Sequence, residues 1–290
     1  MTHTNIEPRV LLDGLAMGES PRWHEGRLWF PHWGTTEIVA VDVAGASRVV
    51  ARGPSGLGHS IGWLPDGRLL MTGARLVRHE PDGSVVVHAD LDSISKYGWS
   101  EMTVDGRGNI YVNSIGFDFA EMADRVKHPA ESPTGVIALI TPDGTIRKVA
   151  DGIAFPNGMV ISPDNKTLIV SESFTRQLLA FDIAGDGRLS RRRVWAQGVF
   201  PDGICLDAEG AIWTATWNNE CVRVAEGGEI LDRIQLDRPC FATMLGGPRR
   251  CTLFMMANRF LGPDKFDEML AMRAGQVLMA QVRTPGAGWP

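Results

Sequence analysis

A strand–turn–strand pattern recurs six times along the 290-residue chain. Each copy places two apolar runs, rich in β-branched and aromatic residues, around a tight turn, which is typical of a β-hairpin. Successive turns are separated by 41, 41, 57, 45 and 40 residues. The turn positions are Gly26, Gly67, Gly108, Asn165, Gly210 and Arg250. A second hairpin follows each of the first five copies, so one repeat supplies four strands.

Repeats of about 40–45 residues with four strands each predict an all-β fold, a six-bladed β-propeller with four antiparallel strands per blade. The sixth repeat lacks its last strand, and the N-terminal segment 8–15 can complete it. A ring closed by this N-terminal strand has none of the exposed edges of an open sheet. We expect one propeller domain over residues 1–290. The alternative is a β-sandwich of irregular strands, which would not repeat at this spacing.

Composition and charge argue against several classes of partner. Hydrophobic residues make up 44% of the chain and charged residues 22%, with a net charge of −5. This balance offers no basic surface for nucleic acid or an anionic membrane. The N-terminus lacks the pattern of a signal peptide, and no run of about 18 apolar residues is present. We therefore expect a cytoplasmic monomer or small homo-oligomer that binds a small-molecule substrate.

The four cysteines support the same compartment. Cys205, Cys221, Cys240 and Cys251 show no CxxC spacing. They fit free thiols in a reduced cytoplasmic protein, although a Cys240–Cys251 pair stays open.

The alternation of strand direction places the first residue of every innermost strand at one mouth of the central channel. Counting back eight residues from each turn, or seven in the shorter first repeat, gives Glu19, His59, Ser100, Asn157, Asp202 and Ala242. Two carboxylates in a narrow channel repel each other unless a cation or a shared proton neutralises them. With the Asn157 amide they form an oxygen-rich set that suits one divalent ion such as Ca²⁺, Mg²⁺ or Mn²⁺. A histidine nearby makes Zn²⁺ an option.

A simpler interpretation of Asn157-Gly158 and Asp202-Gly203 is that Asn or Asp before Gly forms a turn at a blade junction. A single histidine such as His59 is also more often a satisfied polar residue than a ligand. Three oxygen-bearing groups in one repeat register nevertheless favour a metal site, because buried charges need partners.

Two long connections are predicted to cover this mouth of the channel. They span residues 114–135 in the third repeat and 258–275 in the sixth. The alternation of strand direction places both at the same mouth of the channel as the strand heads. Long loops in compact domains are often functional lids. The predicted rim is aromatic, as is usual for small-molecule sites. Its members are Trp33, Phe117, Phe174 and Trp217.

The chain resembles the family of senescence marker protein (regucalcin), gluconolactonase and luciferin-regenerating enzyme. The matching segments, which follow one another over nearly the whole chain, are GESPRW (18–23), FPNGMVISPDNKTLIVSES (155–173), FPDGICLDAEGAIW (200–213) and VRTPGAG (282–288). The resemblance implies a six-bladed propeller with one divalent metal in its channel and, for many members, hydrolysis of lactones. It also implies that Glu19, Asn157 and Asp202 are the metal ligands and that Asp202 is the general base.

The chain departs from that family at Gly98-Trp99-Ser100-Glu101, where the family typically reads Arg-x-Asn-Asp. The arginine that holds sugar-lactone oxygens is absent, and either Ser100 or Glu101 stands for the asparagine near the metal. Trp99 and the aromatic rim therefore favour an apolar or aromatic substrate over a sugar lactone. Two orientations of the Glu101 side chain stay open: it points into the site, or it points into solvent.

The predicted function is hydrolysis of a lactone or small ester by a metal-dependent lactonase or esterase, with Asp202 as the general base. The expected cofactor is one divalent ion, Ca²⁺ first, with Zn²⁺, Mn²⁺ or Mg²⁺ as alternatives. Two other functions stay open: a metal-dependent dehydratase or isomerase on the same site, and a non-enzymatic ligand-binding propeller. The predicted substrate contacts are Trp33, His59, Trp99, Ser100, Glu101, Phe117, Phe174 and Trp217.

Overall fold

The computed structural model describes residues 6–53 and 57–288 of the chain. Within these residues the strands form six antiparallel sheets, which confirms the six-bladed β-propeller. Strand β1 (Arg9–Leu15) pairs with β25 (Gly275–Gln281), the third strand of the sixth blade. The N-terminal strand therefore closes the ring, as predicted for segment 8–15.

The other strands follow in chain order, blade by blade. Blade one contains β2 (Met17–Gly18), β3 (Arg22–His24), β4 (Arg27–Trp33), β5 (Glu37–Val41) and β6 (Ser47–Arg52). Blade two contains β7 (Ile61–Trp63), β8 (Leu69–Met71), β9 (Leu76–His79) and β10 (Val85–Ala89). Blade three contains β11 (Met102–Val104), β12 (Ile110–Ser114), β13 (Gly135–Ile140) and β14 (Ile146–Ile153). Blade four contains β15 (Pro156–Ile161), β16 (Thr167–Glu172), β17 (Gln177–Ile183) and β18 (Leu189–Gln197). Blade five contains β19 (Ile204–Leu206), β20 (Ile212–Ala215), β21 (Glu220–Val224) and β22 (Ile230–Gln235). Blade six adds β23 (Cys240–Gly246) and β24 (Thr252–Ala257) to β25 and β1.

The six predicted turn positions share one backbone conformation. All of them have a positive φ, between 55° at Arg250 and 86° at Gly67. This left-handed region is free of steric cost for glycine and tolerated by asparagine, which explains the residue types at five of the six positions. Each turn that marks a repeat in the sequence therefore connects the two innermost strands of one blade.

The core lies between neighbouring blades rather than at the channel axis. Leu70, Met102 and Val112 are fully buried where blade two meets blade three. Tyr111 and Val170 lie in the corresponding layer between blades three and four. Because each blade buries apolar side chains on both faces, inner strands such as β24 contain nearly continuous apolar runs, whereas outer strands such as β6 and β18 are mostly exposed. The four cysteines are free thiols, as predicted.

Both long connections contain a short helix. The blade-three lid (residues 114–135) contains α1 (Met122–Lys127), and the blade-six lid (residues 258–275) contains α2 (Phe266–Met272). The Lys127 Nζ atom lies 2.6 Å from Asp264 Oδ2, and the rings of Phe119 and Phe266 are 5.9 Å apart. The two lids therefore contact each other. In the described part of the chain, no helix combines the length and the apolar character that crossing a membrane requires.

Candidate active site

The two lids cover a cavity of about 510 Å³. Four of the six predicted strand heads line it: Glu19, Ser100, Asn157 and Asp202. Its wall is largely aromatic, from Trp33, Phe119, Phe155, Trp217, Phe241, Phe260 and Phe266. The heads of innermost strands from four different blades thus meet at one cavity.

Each of the three predicted ligands lies where regular strand pairing is interrupted. Glu19 falls between β2 and β3, which pair separately with β4, and Ser20 has a φ of 44°. Asn157 lies within a bulge of β15, and Asp202 precedes the start of β19. Irregularities of this kind redirect a side chain that a regular strand would point elsewhere. The sequence pattern alone did not predict these interruptions.

The glycines after Asn157 and Asp202 allow close contact between blades. Neither Gly158 nor Gly203 has a positive φ, so they do not form the turns considered as the simpler alternative. A Cβ atom on Gly158 would lie 2.8 Å from the Asp202 carbonyl oxygen. A Cβ atom on Gly203 would lie 2.4 Å from that of Ala242. Glycine is therefore required because the innermost strands of blades four, five and six nearly touch.

Asp202 is a buried carboxylate, 5% exposed. The Trp217 indole Nε1 donates a hydrogen bond to Asp202 Oδ2 at 3.2 Å. Burial raises the pKa of Asp202 to about 7. The negative charge of Glu101 adds to the rise, and the hydrogen bonds from Trp217 and Asn157 oppose it. A carboxylate with this pKa can accept and release a proton near neutral pH.

Burial and neighbouring negative charges act on the Glu19 carboxyl as they do on Asp202. It is 5% exposed, and the backbone N–H of Ser20 donates to its Oε2 at 3.0 Å. Burial first, and then the charges of Asp202 and Glu101, raise the pKa of Glu19 well above its usual value. The metal-free site is therefore short of positive charge.

The Glu101 side chain points into the site rather than into solvent, and it forms an ion pair there. It is buried and lines the cavity, but Arg22 Nη2 lies 3.2 Å from Glu101 Oε2, and the Ser20 hydroxyl donates to Oε1. Arg22 is itself 9% exposed and also donates to the Met102 carbonyl oxygen at 2.8 Å. Arg22 therefore balances the third carboxylate. No local sequence pattern predicts this pair, because it joins blades one and three.

Asn113 links two of the site segments. Its Oδ1 accepts the backbone N–H of Glu101 at 3.1 Å, and its Nδ2 donates to the Asn157 carbonyl oxygen at 2.8 Å. Asn113 is fully buried on β12. It therefore fixes the heads of blades three and four relative to each other. This residue was not predicted either.

The donor set of the cavity fits one hard divalent cation. In residues 6–53 and 57–288, no group of three or more His, Cys, Asp and Glu side chains is arranged to hold a metal by itself. The set therefore depends on the Asn157 amide beside Glu19 and Asp202. The Glu101 carboxylate is not counted among these donors, because it forms an ion pair with Arg22. Oxygen donors of this kind suit Ca²⁺, Mg²⁺ or Mn²⁺ better than Zn²⁺.

His59 does not line the cavity, although its position in the repeat predicted that it would. Its side chain is fully buried and lies against Gly53, where a Cβ atom would be 2.9 Å from Nε2. Burial lowers the pKa of His59 to about 4, so the ring is neutral at pH 7. His59 contacts the cavity wall through its backbone, because its carbonyl oxygen accepts a hydrogen bond from the Trp33 indole N–H at 2.9 Å.

Three predicted aromatic contacts also lie behind the wall of the cavity. Trp99 is 2% exposed and packs in the core between blades two and three. Phe117 and Phe174 stack on Phe155, with ring centroids 6.0 and 4.7 Å away, and Phe155 itself lines the cavity. Trp33, Ser100, Glu101 and Trp217 do line it. The alternation of strand direction placed these loops at the end of the channel where the cavity lies. It could not specify which of their aromatic side chains point into the cavity.

We expect chelator-treated protein to lose thermal stability relative to a Glu19→Gln/Asp202→Asn double variant as the pH rises from about 5 to about 8. Carboxyl groups in an unfolded chain have pKa values of about 4, below those of Glu19 and Asp202 in the fold. At these two sites the folded state therefore binds more protons than the unfolded state through this window, and their contribution to stability falls as the protons are released. The histidines whose pKa is lowered by burial are present in both proteins and cancel in the comparison. Thermal melts across this pH range measure the effect. A Glu19→Gln/Asp202→Asn double variant with an equally steep pH dependence would contradict the assignment.

Comparison with known proteins identifies relatives along most of the chain. The sequence model of the SMP-30/Gluconolactonase/LRE-like region matches residues 17–259. Regucalcin from Pongo abelii is 26% identical over 235 residues, covering 72% of this chain and 71% of that protein. Pentonolactonase XacC from Haloferax volcanii is 26% identical over 230 residues, covering 74% and 71%. The crystal structure of a calcium-binding regucalcin from Agrobacterium tumefaciens shares the fold, with a TM-score of 0.80, 20% identity and coverage of 100% and 98%.

Proposed function

Because the chain belongs to the SMP-30/gluconolactonase/LRE-like family, we propose that it is a metal-dependent hydrolase that opens a lactone or small ester. One relative is named a pentonolactonase, so hydrolysis of lactones occurs among its homologues. The observation that carries the proposal is that Glu19, Asn157 and Asp202, from three different blades, line one covered cavity.

Glu19, Asn157 and Asp202 hold the cofactor, one divalent ion. Ca²⁺ is proposed first, because the donors are oxygens and a structural neighbour is described as calcium-binding. When bound, such an ion supplies a Lewis acid that polarises a carbonyl group and favours negative charge on its oxygen. Its positive charge also offsets the repulsion between the two carboxylates.

Asp202 acts as the general base of the reaction. It accepts a proton from the attacking water, and a cation held beside it would favour its ionised form at neutral pH. The Trp217 N–H holds the carboxylate in one orientation. Glu19 and Asn157 have no proton to transfer in this scheme and fix the ion. Water attacks directly, and no covalent intermediate with the protein is required.

The substrate is apolar or aromatic rather than a sugar lactone. Seven aromatic side chains line the cavity, whereas Ser100 is a short polar group and Glu101 is engaged by Arg22. A cavity of about 510 Å³ accommodates a ligand of two or three rings. Segments of both lids contribute to the wall of this volume.

Product analysis with aromatic lactones and small aryl esters tests this function. Protein loaded with Ca²⁺ should open the ring and give a product that has gained one water, and chelator treatment should abolish the reaction until the ion is restored. A product of unchanged mass would indicate an isomerase, and one that has lost water a dehydratase. Hydrolysis that is equally fast after complete removal of the ion would contradict the proposal.

A further inference from the structure

Every charged side chain that lines the covered cavity is acidic. Five carboxylates reach it, from Glu19, Glu101, Asp202, Asp264 and Asp267, and among residues 6–53 and 57–288 no Lys, Arg or His lines it. A cavity with this lining repels carboxylates and phosphates and attracts cations.

Four of these five carboxylates have partners once the ion of the proposed function is in place. Glu101 is paired with Arg22, and Asp264 is paired with Lys127 across the lids at 2.6 Å. Glu19 and Asp202 are matched by the two charges of the ion. Asp267 remains, and it has no ion-pair partner among the described residues.

Asp267 lines the cavity and is itself exposed to solvent. It lies in the first turn of α2, directly after Phe266, and both residues line the cavity. Nearby, Trp217 and Phe260 form a second aromatic pair, with ring centroids 6.0 Å apart. Aromatic faces attract cations, most strongly where water is excluded, and a carboxylate next to them adds a direct charge contact.

We propose that the cavity selects substrates by charge, preferring aromatic lactones or esters that carry a cationic amine and rejecting those that carry a carboxylate or phosphate, with Asp267 as the residue that binds the amine. This inference rests on the proposed function for the reacting carbonyl, and it adds the chemistry of the remote end of the substrate. Glu19, Asn157 and Asp202 bind one end, and the blade-six lid binds the other.

Three aromatic lactones that differ only in one substituent test the charge preference: an aminoethyl, a propyl and a carboxyethyl group of similar length. We expect kcat/KM to be about 2–5-fold higher for the amine than for the propyl compound, which is the range of one cation–π contact at a site that solvent reaches. The carboxylate compound should be the poorest. Rising salt concentration should reduce the differences.

Asp267→Asn tests the residue. This variant should lose most of the advantage of the amine, with the propyl compound hydrolysed as before. Glu268→Gln is the matched control, because Glu268 follows on the same helix, pairs with Lys265 and does not line the cavity. An Asp267→Asn variant that keeps the full preference for the amine would overturn the role of this residue.

Binding of the corresponding lactams, measured by calorimetry, separates this inference from the proposed function. Tighter binding of the amine lactam, without hydrolysis of any lactone, would support the charge preference and contradict the hydrolase. Hydrolysis of all three lactones at equal kcat/KM, with equal lactam affinities, would support the hydrolase and overturn the charge preference.

Discussion

Replacing Asp202 with asparagine is expected to lower kcat by about 10²–10⁴-fold, the usual contribution of a positioned general base. Asparagine keeps the shape and one oxygen donor but cannot accept a proton. The Trp217 N–H, which donates to Oδ2 at 3.2 Å, can still hold the side-chain oxygen in place. The rate should be measured at saturating divalent ion, so that weaker binding of the ion does not contribute to the loss.

Glu209→Gln is the control for this variant. Glu209 belongs to the same blade but is exposed near the opposite end of its innermost strand, where it pairs with Arg223. It should leave kcat unchanged. Residual activity of Asp202→Asn within tenfold of the parent protein, with the ion bound, would show that another group accepts the proton.

Arg22→Met is expected to destabilise the fold by about 3–5 kcal/mol, the usual cost of removing one partner from a buried ion pair. Arg22 donates to Glu101, Ser60 and Met102 from one nitrogen, at 3.3 Å or less. Its loss leaves Glu101 buried beside Glu19 and Asp202 without a positive charge. Urea unfolding of the chelator-treated protein measures the change.

The double variant Arg22→Met/Glu101→Gln separates charge from packing. Because it removes the unpaired carboxylate together with its partner, it should recover part of the lost stability. Arg68→Met serves as the surface control, since the ion pairs of Arg68 with Asp66 and Glu80 are solvent-exposed and should contribute little. A double variant no more stable than Arg22→Met would contradict the electrostatic account of this pair.

The parts of the structure that the sequence predicted are those set by local repetition. The turn residues from Gly26 to Arg250 carry a backbone requirement that glycine and asparagine meet at five of six positions. The phase of the turns then locates the strand heads, and with them Glu19, Asn157 and Asp202. Ring closure by segment 8–15 followed from counting strands.

The parts that were missed depend on contacts between blades or on the path of a loop. Arg22 and Glu101 are 79 residues apart in the chain, so no local pattern connects them. Phe117 and Phe174 were assigned to the rim, but both stack on Phe155, which takes the inward position. Asp267 was missed because the path of the blade-six lid depends on how α2 packs against the rest of the fold.

The most direct test of the central claim is an anomalous difference map from crystals of the protein soaked in Mn²⁺, a scattering substitute for Ca²⁺ with the same preference for oxygen ligands. We expect one strong peak in the covered cavity, with oxygen atoms of Glu19, Asn157 and Asp202 at about 2.1–2.6 Å from it. A peak elsewhere, or one that these three side chains do not touch, would contradict the claim that the blades deliver their oxygens to a common ion.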